Sequence, residues 1–145
     1  MNKLLLAILF AGLNIVAKAQ SDFSATTIVL TTHDTLSVLV KKFNRSPSPK
    51  EIQYRTSESP QLISLNAKDA IWFRLNEGEW FFSYEEKSTA VFVQLISKGK
   101  ANLYSSHDES GQLHLYYSKD DGAISEFINE KTPDNSVVYK NQLKK

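Results

Sequence analysis

The sequence predicts an all-β fold, mainly antiparallel, in which a single-domain β-meander closes into a barrel or a sandwich. Runs rich in β-branched and aromatic residues, which favour strands, recur along the chain. Four of the five glycines, Gly78, Gly99, Gly111 and Gly122, fall between two such runs, where hairpin turns favour a residue that reaches positive φ. The chain contains no cysteine, so we expect the core to hold the fold without disulfides.

The N-terminal segment, residues 1–19, is not part of that fold, because it has the pattern of a signal peptide. Lys3 is followed by an apolar run over residues 4–13, and small residues precede the predicted cleavage site. We expect Gln20 to be the mature N-terminus and residues 20–145 to form one β-rich domain. The alternative, an uncleaved membrane anchor, needs about 20 apolar residues to cross the bilayer core.

Cleavage changes the charge of the protein and indicates where it works. The segment carries two of the 17 basic residues and none of the 16 acidic ones, so the mature chain is weakly acidic. We expect an exported protein, periplasmic or extracellular, with no membrane span in the mature chain. Without a cysteine it is not lipid-anchored. Nucleic acid is not an expected partner, because binding it requires a basic surplus.

The strands follow in order, with longer breaks in the first half than in the second. A two-residue turn at His33 and Asp34 is expected between the first two strands, and one helical turn at residues 66–69. Residues 137–145 have no clear period and predict a loose tail or a short helix. The predicted strands are 26–32, 35–42, 51–56, 61–65, 71–75, 79–84, 90–97, 100–106, 112–118 and 123–128.

Six aromatic residues are concentrated around one predicted hairpin, and its register decides which of them share a face. A two-residue turn at Glu77 and Gly78 places Trp72, Arg74, Phe81 and Ser83 on one side, with Ile71, Phe73, Leu75, Trp80, Phe82 and Tyr84 on the other. A three-residue turn with a bulge at Gly78 shifts this pairing by one. Hydrophobic sorting favours the two-residue turn. Core packing explains most of the cluster, and the functional alternative is an aromatic face for a sugar or peptide, formed by Trp72, Arg74, Trp80 and Phe81.

The chain has no motif that indicates catalysis. A nucleophile elbow and a phosphate-binding glycine loop are both missing. A composite site of His107, His114 and Asp108 is conceivable, but turn residues and a strand histidine need no metal to explain them. We therefore expect no catalytic residues, no metal and no cofactor.

Four stretches resemble a family of secreted Bacteroidota proteins with no established activity. They are 27–39 around His33-Asp34-Thr35, 44–52, 65–73 and 91–104. The resemblance spans residues 26–128. Some members place this module before an outer-membrane barrel. The resemblance implies a β-rich module, and whether this protein acts at the outer membrane stays an open question at this point.

Three functions remain open at this point. The first is a non-enzymatic binding or interaction module, with a cell-envelope protein or a glycan as partner. The second is a small-ligand carrier with a cavity inside a barrel. The third is a small secreted hydrolase that uses His107, His114 and nearby acids.

Overall fold

The computed structural model describes residues 22–76, 78–86, 88–120 and 122–127 and confirms the all-β prediction. Ten strands form one antiparallel sheet that curls into a half-barrel. A single 3₁₀ turn at Ala67–Asp69 matches the predicted helical turn. The signal peptide, Gln20 and the predicted tail lie outside the described residues. The strands are β1 (Phe23–Leu30), β2 (Thr35–Lys41), β3 (Glu51–Arg55), β4 (Ile63–Asn66), β5 (Ala70–Leu75), β6 (Trp80–Glu86), β7 (Thr89–Ser97), β8 (Ala101–His107), β9 (Leu113–Lys119) and β10 (Ser125–Glu126).

The sheet is made of two meanders that meet in its middle. The strand order is β10-β9-β8-β7-β6-β5-β1-β2-β3-β4. Only the connection from β4 to β5 joins strands that are not neighbours, and it contains the 3₁₀ turn. That turn contacts β6 and β7, so the end of the first meander folds back over the second.

Three hairpins share one kind of loop, and this loop explains why the favoured register was wrong. Leu75 N–H donates to Glu79 O, which leaves three residues in the β5–β6 loop, and its third residue, Gly78, has φ of 96°. The β8–β9 loop ends the same way at Gly111, and the β1–β2 loop ends at His33 with φ of 68°. A three-residue loop of this type places its third residue in the left-handed region. His33 and Asp34 therefore do not form the two-residue turn that we expected.

The pairing of β5 with β6 defines two faces of the sheet. Phe73 lies opposite Phe81, while Trp72 lies opposite Phe82 and Arg74 opposite Trp80. We call the side that carries Phe73 and Phe81 the Phe73 face, and the side that carries Trp72, Trp80 and Phe82 the Trp80 face.

Each face has its own hydrophobic core. Consecutive residues of β7 show this directly, because Phe92 and Val93 point to opposite faces and both are buried. The core on the Phe73 face extends from β1 to β7 and includes Ile28, Val40, Ile52, Phe73, Phe81 and Phe92. The core on the Trp80 face is smaller and centres on Val93, Tyr104 and Tyr116.

A strap formed by residues 43–49 closes the Phe73 face. The ring of Phe43 packs edge-on against Phe73 and Phe81 at centroid distances of 5.9 and 5.5 Å. Arg45 makes a bidentate ion pair with Glu79, with both N···O distances 2.6 Å. These contacts hold the strap over the core. Without the strap, the rings of Phe73 and Phe81 would be uncovered on this side.

The end of the strap enters a gap between β7 and β8. These strands pair at Gln94 with Ser105, but farther along Phe92 N–H donates instead to Pro49 O at 2.9 Å. Ser48 N–H donates to His107 O at 2.8 Å, and His107 N–H donates to Ser48 Oγ at 2.9 Å. The strap therefore satisfies backbone groups that separated strands leave open.

This strap gives the first testable prediction. Ser48→Ala removes the acceptor for His107 N–H and should lower the free energy of unfolding by about 1 kcal/mol, since a half-buried donor loses its partner. Urea denaturation measures the change. Ser57→Ala, at an exposed position, should alter it by less than about 0.5 kcal/mol. Equal values for the two variants would show that the strap contact contributes nothing.

Candidate functional site

Three of the four residues predicted for an aromatic face lie together on the Trp80 face. The rings of Trp72 and Trp80 are 4.9 Å apart and tilted by 48°, and the Arg74 guanidinium lies 5.0 Å from the centre of the Trp80 ring. The prediction was wrong for Phe81, because the three-residue loop places its side chain on the Phe73 face. There it is 2% exposed and stacks on Phe73 at 4.7 Å, so it belongs to the core.

Phe82 takes the place that we expected Phe81 to have. Its ring is nearly parallel to that of Trp80, at a centroid distance of 6.3 Å and an angle of 16°. It also meets the edge of Tyr104 at 5.4 Å. The aromatic rings thus continue from β5 and β6 across the sheet to β8.

These rings form one wall of a cleft of about 330 Å³ on the Trp80 face, which we call the aromatic cleft. Strands β5 to β9 contribute to it, and the segment before β10 closes its far side. Its lining residues are Ile71, Trp80, Phe82, Leu95, Lys98, Asn102, Tyr104, Ser118, Gly122 and Ile124.

A bulge in the sheet explains how Ile71 comes to line the cleft. The register of β1 against β5 shifts between Val29 and Leu30, so that Val29 pairs with Trp72 and Leu30 with Ala70. Ile71 is left as the extra residue. The bulge lets Ala70 enter the core on the Phe73 face while its neighbour lines the aromatic cleft.

The floor of the cleft is polar and buried. Asn102 and Ser118 pair across β8 and β9, and they are 7% and 1% exposed. The Asn102 amide donates to Ser118 Oγ at 3.4 Å, and the Tyr104 hydroxyl lies 3.0 Å from the same oxygen. Gly99 N–H donates to Asn102 Oδ1 at 3.3 Å, which holds the amide in place.

One lysine brings positive charge to the rim of the cleft. Lys98, on the loop after β7, is exposed and lines the rim. Among the residues that the structure describes, no aspartate or glutamate lines this cleft. Aromatic walls, a few fixed polar groups and a cationic rim are typical of a small-molecule site.

A second pocket of about 250 Å³ lies where the strap separates β7 from β8, and we call it the histidine pocket. His114 occupies it, with Nε2 3.2 Å from Asp108 Oδ2 and Nδ1 3.0 Å from Glu126 Oε1. Both carboxylates accept, so the arrangement is satisfied when the imidazole is protonated on both nitrogens. Its lining residues are Pro47, Ser48, Lys50, Thr89, Val91, Ser106, His107, Asp108, Glu109, His114 and Tyr116.

These contacts raise the pKa of His114 and lower the pKa of Asp108. Hydrogen bonds to Asp108 and then to Glu126 raise the pKa of His114 above 6.5. Hydrogen bonds from Ser110, His114 and Gln112 hold the pKa of Asp108 far below its usual value. The contacts therefore favour the protonated form of His114, and they tie β10 to the β8–β9 hairpin.

The pH dependence of stability follows from these directions. The His114 contribution is fully present below its unfolded pKa of about 6.5 and is lost as the pH rises through the raised folded value. The Asp108 contribution is present above about pH 3.8, the ordinary pKa of the carboxyl, and is lost as the pH falls towards its lowered folded pKa.

The difference in Tm between wild type and His114→Gln should be largest between about pH 4 and 6.5 and should shrink in alkaline solution. A difference that grows with pH would contradict the ionic contact.

Comparisons with protein-family models, with curated proteins and with solved structures find no match to this chain. Within residues 22–76, 78–86, 88–120 and 122–127, no group of three or more histidine, aspartate or glutamate side chains is arranged to hold a metal ion. The same part of the chain contains no helix with the length and apolar character needed to cross a membrane. The function therefore has to be inferred from the chemistry of the two pockets.

Proposed function

We propose that this protein is an exported, non-enzymatic binding module of the bacterial cell envelope that holds its ligand in the aromatic cleft. The observation that carries the proposal is the composition of that cleft, with aromatic walls from Trp80, Phe82 and Tyr104 over a buried polar floor. Apolar walls supply the binding free energy and the fixed polar groups select the ligand.

The proposed location rests on the N-terminal segment and on the family resemblance. Lys3, the apolar run at residues 4–13 and the small residues before Gln20 are together the features of a secretory signal peptide. The resembling Bacteroidota proteins are secreted, and some place a similar module before an outer-membrane barrel. Both observations support the cell envelope as the place where the ligand is met.

A carrier with a cavity inside a barrel has less support. The sheet forms a half-barrel and not a closed one, and its Phe73 face is filled by side chains that include Ile28, Phe73 and Phe92. Phe43 of the strap covers them. The aromatic cleft lies on the opposite face and is open at the surface.

A hydrolase also has less support. His114 is the histidine with acidic neighbours, but a general base needs a free ring nitrogen to accept a proton. Both nitrogens of His114 contact carboxylates, those of Asp108 and Glu126. With both ring nitrogens engaged, His114 has no free position from which to take a proton from a substrate or a water.

Strand addition at a sheet edge is the second candidate function for the same module. β4 is the last strand of the sheet, and Leu62 and Ile63 beside its outer edge are exposed. An extended peptide could pair there. The edge is only four residues long, which gives few main-chain hydrogen bonds, so the cleft remains the better candidate.

The experiment that tests the proposal maps binding without assuming a ligand class. Full-length mature protein labelled with ¹⁵N is titrated with a panel of small fragments that includes indole, toluene, monosaccharides and N-acetyl amino acids. We expect the fragments that bind to shift the amide signals of Trp80, Asn102 and Tyr104. Shifts confined to β4 or to the histidine pocket would refute the cleft as the binding site, and a panel with no binder would refute it once larger ligands also fail to shift these signals.

A further inference from the structure

We infer that the ligand of the aromatic cleft is a saccharide, whose ring packs on the aromatic wall while its hydroxyl oxygens accept hydrogen bonds from the polar floor. This inference rests on the proposed function and specifies the ligand class of the same site.

The first argument is the number of spare donors on the floor. Asn102, Ser118 and Tyr104 together have four side-chain donor hydrogens, two on the amide and one on each hydroxyl. One amide hydrogen is used on Ser118 Oγ, and one hydroxyl hydrogen is shared between Ser118 and Tyr104. No other side-chain contact within the described residues uses the remaining two.

The residues that carry these donors are largely buried, so a ligand that displaces water from the floor has to supply acceptors for them. Asn102 is 7% exposed and Ser118 is 1% exposed, although both line the cleft. A hydrocarbon ligand would cover these groups without satisfying them, which costs about 1–3 kcal/mol for each group. The ammonium group of Lys98 at the rim is a further donor without any acceptor function. The cleft is therefore complementary to a ligand rich in acceptor oxygens.

The second argument is the arrangement of the rings. Trp80 and Phe82 stand nearly parallel on one wall, and Tyr104 meets Phe82 edge-on. The C–H groups on one side of a pyranose ring form an apolar, weakly positive surface that is complementary to the negative face of an aromatic ring. A saccharide combines this surface with hydroxyl groups on its edge, and the cleft offers partners for both.

The size of the cleft also favours a ring over a peptide. A volume of about 330 Å³ is at the lower end of the range for small-molecule pockets. An extended peptide would supply acceptor carbonyls as well, but it recognises sheets along an edge. The aromatic cleft lies on a face, between the rings of β6 and the floor formed by β8 and β9.

Titration with saccharides tests the inference. Trp72 and Trp80 are the only two tryptophans of the sequence, and they are in contact with each other, so intrinsic fluorescence reports on the cleft. The probes are trimers of glucose, xylose, N-acetylglucosamine and galacturonate. We expect at least one trimer to change the fluorescence saturably and to shift the amide signals of Trp80 and Asn102.

Isosteric variants separate the polar floor from the aromatic wall. Asn102→Asp replaces the donor amide with acceptors, and Tyr104→Phe removes the hydroxyl while keeping the ring. Each should weaken saccharide binding about tenfold, which corresponds to about 1.4 kcal/mol, and should leave the binding of toluene or indole within twofold. Ile96→Ala, at an exposed site on β7 outside the cleft, is the control for both ligands.

The outcomes distinguish this inference from the proposed function. Apolar fragments that bind in the cleft while every trimer fails would overturn the saccharide inference and leave the binding site in place. Saccharide binding that Asn102→Asp and Tyr104→Phe do not weaken would also overturn it. If neither fragments nor trimers shift the signals of Trp80 and Asn102, the proposed function fails as well.

Discussion

Phe81→Ala should lower the free energy of unfolding by about 3–5 kcal/mol, the usual cost of removing a buried phenylalanine. Phe81 is 2% exposed, stacks on Phe73 at 4.7 Å and receives the edge of Phe43 at 5.5 Å. Its removal leaves a cavity under the strap and takes away a contact that holds the strap in place. Urea denaturation followed by circular dichroism measures the loss.

Two further variants keep this prediction falsifiable. Phe81→Leu retains most of the volume and should remain folded while losing less stability than the alanine variant. Leu113→Ala, where the side chain is 53% exposed, should change stability by less than about 0.5 kcal/mol. A cost for Phe81→Ala as small as that for Leu113→Ala would mean that Phe81 points to solvent and that the β5–β6 register is the two-residue one.

Trp80→Ala should have the largest effect on binding, with a loss of at least tenfold in affinity for any ligand of the aromatic cleft. Aromatic residues at the centre of a site commonly contribute 2 kcal/mol or more, and Trp80 forms the wall together with Phe82. NMR titration of the tightest fragment or trimer gives the affinity of each variant, and the dispersion of the amide signals shows that the variant is folded.

The matched control is Ile96→Ala. Ile96 is a large apolar residue that is 54% exposed, next to the cleft residue Leu95 in β7, and its loss should change affinity by less than twofold. An affinity that survives Trp80→Ala and falls with Ile96→Ala would place the ligand outside the cleft.

The strands could be predicted from the sequence because local signals determine them. Each of Gly78, Gly99, Gly111 and Gly122 lies outside the strands, as glycines at turns should. The register was harder to predict. Both faces of β7 are buried, as Phe92 and Val93 show, so hydrophobic sorting does not reveal which side of the β5–β6 hairpin faces which core. The number of residues in the β5–β6 loop decides the register, and a glycine at position 78 is compatible with a two-residue loop and with a three-residue loop.

The sequence predicts only those residues of the candidate site that lie close together along the chain. Trp72, Arg74 and Trp80 belong to one hairpin, and the structure places them together. Asn102 and Ser118 were missed because they come from β8 and β9 and meet Trp80 only through the curl of the sheet. A signal exists in the alternation of β8, where Asn102 and Tyr104 share a face. This alternation is the same as that of any half-buried strand, so it does not by itself indicate a binding site.

The most direct test of binding in the aromatic cleft is site-specific photo-crosslinking in living bacterial cells that export the protein. The photoreactive residue p-benzoylphenylalanine replaces Lys98 at the cleft rim in one variant and the exposed Ile63 on the β4 edge in another. Binding in the cleft predicts a crosslinked envelope component from position 98 that disappears when Trp80→Ala is added, and none from position 63. Crosslinks from position 63 alone, or crosslinks from position 98 that survive Trp80→Ala, would contradict it.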